Sequence, residues 1–257
     1  MDFSMWFNQA KCDIYMGTGA GTKLLKEIGN AQKSVKISSP YLSPKMVEEL
    51  IWLHKQGIQI SLITSDTLNG GNHRQEKSIM PLIIQNKTVD SKAEKARNRL
   101  ILLKSILMYG SILLSVMLVL LFINANYSIS LFGLAVPFLL IGLAQAVKRR
   151  IRNMRIFNYN YTSLFPFKVF VTPDSNRITE MFIHGKIYII DGHTAYLGSL
   201  NFTESGTKYN YETRIRVTEL DAVKKINEEF DELYHNPEMA FFGIEEWGSY
   251  LYAEPVN

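Results

Sequence analysis

The stretch His184-Gly185-Lys186-Ile187-Tyr188-Ile189-Ile190-Asp191, followed by Gly198-Ser199-Leu200-Asn201 and then Asn210-Tyr211-Glu212, concentrates groups that can do chemistry. Side chains alternate faces along a strand, so His184 and Lys186 would point the same way and set an imidazole beside an ammonium. Such a pair is a poor metal site, because one cation disfavours another and no ligand cluster with zinc spacing surrounds it. It is a good phosphate site. Lys186 and Asn201 would neutralise and orient non-bridging oxygens, while Ser199 and the turn backbone would line an anion pocket. His184 could then attack phosphorus or move a proton. A carboxylate must hold the imidazole in the right tautomer, and Glu212 is the candidate.

The spacing H-x-K-x4-D, with G-S-x-N seven residues after the Asp, resembles the signature of the phospholipase D superfamily. The order of elements from Asp13 to Pro237, outside one long apolar run, also looks like a single repeat of that fold. The resemblance implies an α/β sandwich of the phospholipase D type, a mixed sheet flanked by helices. It implies that one motif histidine attacks the phosphodiester to give a phosphohistidine. A second motif histidine protonates the leaving alcohol and then activates water, with no metal and no cofactor. On this carry-over the catalytic set is His184, Lys186, Asp191 and Glu212. Lys186, Ser199 and Asn201 hold the phosphate, Glu212 orients the histidine, and Asp191 is more often structural in this family. The chain has one such motif, since His54 and His73 lack a lysine two residues on. Family members with one motif build the site across a two-fold axis, so a homodimer is expected, with His184 supplied by both subunits.

The elements that must position these residues are legible. KCDIYMG reads as a strand, and TKLLKEIGNAQKSV places Leu24, Leu25 and Ile28 at helical spacing behind Thr22 as a cap. KISSPYLS is a second strand, Pro44 opens a helix closed by Gly57, and IQISLITSD is a third strand. This alternation implies a mostly parallel sheet in the first arm. FPFKVFVTP, MFIHGKIYIIDG, HTAYLGSLNF and YNYETRIRVTE are strand-like, and the helix LDAVKKINEEFDELYHNP sets Val223, Ile226, Phe230 and Leu233 on one face. The tail after Met239 is aromatic and acidic, with Trp247, Tyr250 and Tyr252 free to pack a dimer, the domain or a membrane interface. Cys12, the single cysteine, rules out an internal disulfide and reads as a small buried hydrophobe.

Between the arms, residues 105 to 147 contain no charge over 43 positions. That is twice the roughly 20 residues that span a bilayer core, and the polar insert Asn124-Ala125-Asn126-Tyr127-Ser128 splits the run into 105–123 and 129–147. A two-helix transmembrane hairpin is expected within residues 100–150, separating a first part of the domain (1–99) from a second part (151–257) that carries the motif. Asn126-Tyr127-Ser128 matches a glycosylation pattern, but a turn so close to the membrane makes modification doubtful. The start of the chain lacks the basic and long apolar regions of a signal peptide, and basic residues flank the run on both sides with none in the turn. By the positive-inside rule both arms and both termini are cytoplasmic.

The flanks also explain the overall charge of +4. Residues 86–155 hold 11 basic and 2 acidic residues, net +9, which leaves 17 basic and 22 acidic elsewhere, net −5. The basic balance belongs to a membrane collar whose natural partner is anionic lipid headgroups. The same reasoning favours a membrane-anchored phosphodiesterase acting on phospholipid, by hydrolysis or transfer. The alternatives are a tethered nuclease acting on DNA or RNA, since GSLNFTESG followed by NYE also resembles nuclease motif regions, and a catalytically inactive scaffold. Lys168, Arg177, Lys208, Arg214 and Arg216 are the charges expected near the mouth.

Overall fold

Apolar residues alternate along the strands of both arms, and their burial assembles one sheet from segments far apart in sequence. In the computed structural model, which describes residues 7–66, 74–125, 131–172 and 183–257, the chain forms two compact units. One comprises Met1–Ile84 and Tyr161–Tyr252, the other Gln85–Asn160 and Ala253–Asn257. The expectations for His73, Arg177 and the Asn126-Tyr127-Ser128 turn fall outside the described residues.

The first unit holds a seven-stranded mixed sheet. Its strands are β1 (Cys12–Gly17), β2 (Ser34–Ser38), β3 (Gln59–Ser65), β6 (Phe167–Phe170), β7 (Lys186–Ile190), β8 (Thr194–Gly198) and β9 (Glu212–Val217), in the order β1-β9-β8-β7-β2-β3-β6. β2, β3 and β6 run parallel, whereas β7 joins β2 antiparallel and the rest of that half is antiparallel. The mostly parallel arrangement expected of the first arm therefore fails at β1, which pairs with β9 at the far edge instead of with β2. At that edge Cys12 is exposed, contrary to the expected burial, because no further strand covers it.

Helix α7 (Leu220–His235) buries Val223, Ile226 and Phe230 against Ile63, Phe170, Ile189, Ala195 and Val217. Each large side chain removed from water in this way contributes about 1.5–3 kcal/mol before entropy is counted. Strand alternation turns Ile189 toward α7 and Lys186 and Tyr188 toward the other face, where the Tyr188 ring meets Phe202. Helix α1 (Gly21–Gly29) has Ala20 at its N-cap position with no side-chain cap, and the Thr22 hydroxyl donates to Gly19 O rather than capping as expected. Helix α2 (Pro44–Lys55) begins at Pro44 and ends before Gly57, whose φ of +89° reverses the chain. Short α3 (Arg74–Ile79) follows, and α8 (Ile244–Leu251) lies in the tail with Trp247 buried.

Two strands absent from the sequence reading, β4 (Ile83–Val89) and β5 (Phe157–Ser163), pair as a small sheet through which the chain enters and leaves the second unit. β5 alternates Phe157, Tyr159 and Tyr161 with polar residues, and of these strands Ile83 and Tyr161 are buried. Between them stand α4 (Ser91–Ala125) and α5 (Leu131–Arg152), packed against each other with Ser111 Oγ donating to Pro137 O at 3.1 Å. Asp90 caps α4 through the amides of Lys92 and Ala93, and the Asn257 amide caps the end of α5 through Ile151 O and Arg152 O.

Both helices extend well beyond the limits 105–123 and 129–147. Among the described residues one segment, Ser91–Ile123, is long and apolar enough to cross a membrane, so one span is supported where two were expected. The uncharged part of α5 ends at Val147, and Lys148, Arg149, Arg150 and Arg152 fill its last turns.

Candidate active site

The site sits where β7, β8 and β9 meet. Asp191 and Gly192, with φ of +54° and +68°, make the tight turn that folds β8 back on β7 and sets Lys186 opposite Gly198. A side chain at Gly198 would fall onto the Thr213 carbonyl, so only glycine allows β8 to approach β9 this closely. Ser199 N then donates to Thr213 O at 3.1 Å, and Thr213 N donates back to Ser199 Oγ at 3.0 Å.

His184 precedes the strand instead of lying in it, and is exposed. Lys186 nonetheless reaches back to it. Its Nζ donates to His184 O at 2.7 Å and lies 3.2 Å from His184 Nδ1. The imidazole and ammonium are neighbours because the Lys186 side chain folds back along the chain from the first residue of β7. Lys186 is only 5% exposed. Burial pulls its ammonium below the ordinary lysine range, and the Glu212 carboxylate opposes that shift.

Glu212, also buried, receives the Ser199 hydroxyl on one oxygen and the Asn210 amide, at 3.2 Å, on the other. These bonds fix the carboxylate in place and leave it acceptor capacity for a further donor. Asn201 presents Oδ1 in a buried position with no hydrogen-bond partner, and its backbone is held from below. The Ser39 hydroxyl accepts from Phe202 N at 2.9 Å, the Ser43 hydroxyl accepts from Glu204 N at 3.2 Å, and Tyr188 OH donates to Leu200 O at 2.6 Å. Ser39 and Ser43 were missed by sequence reasoning, although Ser39-Pro40 at the end of β2 was a usable signal.

Asp191 stands apart from this group. Five residues of strand separate it from Lys186, about 16 Å at the usual rise. Its carboxylate accepts from the backbone amides of Gln32, Lys33 and Ser34 at 2.7–3.1 Å. Burial alone would raise its pKa, but these three donors outweigh it and hold the group below the usual carboxylate range. The basic residues expected at the mouth are largely committed. Arg214 bonds Ala20 O and lies over the Tyr15 and Tyr196 rings, Arg216 pairs with Glu27 at 3.1 Å, and Lys168 is surrounded by Phe170, Tyr234 and Phe241. Among the described residues there is no cluster of His, Cys, Asp and Glu that could hold a metal ion.

This mixed sheet, with histidine, buried lysine and a serine-bonded carboxylate at one junction, defines a phospholipase D-like domain. A family model described as "Cardiolipin synthase, PLD-like domain" matches residues 24–114 and 143–234, and the chain belongs to that family. Its members are phosphodiesterases and transferases. Among solved structures, the chain is similar to NucT from Helicobacter pylori at 14% identity, covering 91% of this chain and 100% of that one with a TM-score of 0.48. It is also similar to the phospholipase D family member Nuc from Salmonella typhimurium, at 12% identity, 90% and 99% coverage and a TM-score of 0.44. Phosphatidylserine synthase from Haemophilus influenzae Rd KW20 matches at 11% identity, 92% and 40% coverage and a TM-score of 0.42. No curated protein sequence matches the chain.

Proposed function

We propose that this protein is a membrane-anchored phosphodiesterase that hydrolyses or transfers phospholipid phosphodiesters through a phosphohistidine. The observation that carries the reading is the buried Lys186 ammonium 3.2 Å from the His184 ring, with the Glu212 carboxylate fixed by Ser199 and Asn210. A ring nitrogen of His184 attacks phosphorus as the bond from phosphorus to the alcohol oxygen breaks, and His184 of a second copy gives its proton to the departing oxygen. That second histidine then takes a proton from water, whose oxygen attacks phosphorus and releases the first. Lys186 and the Asn201 amide hold the non-bridging oxygens through both steps, and Ser199, whose one hydroxyl proton goes to Glu212, fixes that carboxylate rather than the phosphate as expected. Each subunit supplies one histidine, so the active species is a homodimer.

The substrate reading rests on the second unit. Helix α4 exposes Leu113, Val116 and Leu120, and α5 exposes Phe138 and Leu139, an apolar surface suited to acyl chains. We place both helices in the membrane as a hairpin with the catalytic unit and the basic collar on the cytoplasmic side, the collar against anionic headgroups. Detergent-purified protein should turn over labelled phosphatidylcholine, phosphatidylglycerol or cardiolipin, and His184→Ala should abolish this. Robust cleavage of single-stranded DNA with no lipid turnover would replace the lipid reading with a nuclease, and activity surviving His184→Ala would remove the mechanism. Excess His184→Ala should poison wild-type protein beyond simple dilution if the site is shared. EDTA should leave the rate unchanged.

A further inference from the structure

The acidic, aromatic tail has no part in the site described above, yet it builds a pocket of its own. About 270 Å3 of space is lined, among the described residues, by Phe242, Glu246, Trp247 and Tyr250. Trp247 stands nearly perpendicular to both of its aromatic neighbours. Phe242 and Trp247 are 5.9 Å apart at 88°, and Trp247 and Tyr250 are 6.1 Å apart at 78°. Trp247 is 3% exposed, and its indole N–H has no hydrogen-bond partner. Carboxylates mark the rim: Glu246 caps α8 through Gly243 N at 2.6 Å, and Tyr250 OH donates to Glu76 at 2.8 Å. Residues 239–257 include Glu245, Glu246 and Glu254 and no lysine or arginine.

We propose that this pocket is an aromatic cage for a methylated ammonium group. Ring faces carry the negative lobe of the aromatic quadrupole, and a space walled by aromatic rings and a carboxylate favours a cation over a neutral apolar group. The nearby carboxylates add to the same field and repel anions. A quaternary ammonium has no N–H to satisfy, so it can enter an apolar space that would leave an ordinary ammonium short of hydrogen bonds. Choline and its phosphoester carry such a group. That chemistry is shared by a free small molecule and by a lipid headgroup.

The cage shares no residue with the His184 site, so binding and catalysis fail separately and the inference does not depend on the phosphodiesterase reading. The full chain carrying Trp6→Phe and Trp52→Phe keeps Trp247 as its one indole. Titration with choline or tetramethylammonium should change its fluorescence saturably. The uncharged isostere 3,3-dimethylbutan-1-ol should bind about tenfold more weakly, and Phe242→Leu or Tyr250→Leu, both at exposed positions, should weaken choline by a similar factor. Equal binding of the neutral alcohol, or no saturable response to either cation, overturns the proposal. In nanodiscs, a choline response present in phosphatidylglycerol but abolished in phosphatidylcholine identifies the headgroup as occupant, and an equal response in both identifies the free molecule.

Discussion

The Ser199 hydroxyl donates to the Glu212 carboxylate, and this bond ties the turn after β8 to the start of β9. The same hydroxyl accepts from Thr213 N, so one atom serves two strands. Ser199→Ala leaves a buried carboxylate with Asn210 as its remaining donor and strips Thr213 N of its acceptor. The expected cost is about 1–3 kcal/mol of stability, with a fall in kcat that Ser199→Thr partly restores. Urea unfolding and turnover measured together check this, and an unchanged unfolding midpoint would contradict the bonding described.

Lys186 sets an alkaline limit on activity. Burial lowers its pKa, so it loses its charge, and its hold on phosphate, at lower pH than an exposed lysine would. Between the native and unfolded pKa values the unfolded chain binds more protons, so this residue makes stability rise with pH while phosphate binding falls. Lys186→Arg keeps its charge throughout and should move the alkaline limb of kcat/KM to higher pH. A limb that stays in place would assign it to another group.

Asp191 acts in the opposite sense. Its native pKa lies below the unfolded one, so its contribution is complete above the unfolded value and is lost as pH falls through the native value. Asp191→Asn tolerates the positive φ but gives up the charge on three amide bonds, at a cost of about 1–2 kcal/mol after allowance for partial exposure. Thermal midpoints should drop near neutrality and converge with wild type in acid. Parallel curves at all pH values would show that the charge does not stabilise the fold.

The exposed apolar face of α4 predicts membrane partition. Leu113→Arg and Leu120→Arg each place a charge on that face, at about 2.5–3.5 kcal/mol per residue near a bilayer centre. The double variant should move from the membrane to the soluble fraction on alkaline carbonate extraction. A distribution identical to wild type would argue that α4 does not contact lipid.

Much of this was legible in the sequence because it depends on local spacing. Alternation of apolar residues gave β2, β3 and β7, the Pro44 and Gly57 punctuation bounded α2, and the period of Val223, Ile226 and Phe230 gave α7. The uncharged run marked a helical insert whose two helices continue past it through the basic flanks, where capping by Asp90 and Asn257 ends them. β4 has little alternation beyond Ile83, whereas β5 alternates Phe157, Tyr159 and Tyr161 with polar residues, and only the tertiary pairing shows that this short period-2 run is a strand.

The sequence by itself determined which residue types stand near one another in the motif, for that follows from covalent order and strand rise. Partnership among them was decided only by tertiary structure. Glu212 is 28 residues from His184, and which donor reaches its carboxylate depends on strand register and on the close approach that Gly198 permits. Asp191 belongs to the motif in sequence, yet a strand of fixed rise carries it to the opposite end of β7, where it pins the start of β2. Hydrogen bonds form between atoms that are close in space, and chain order constrains that closeness only over a few residues.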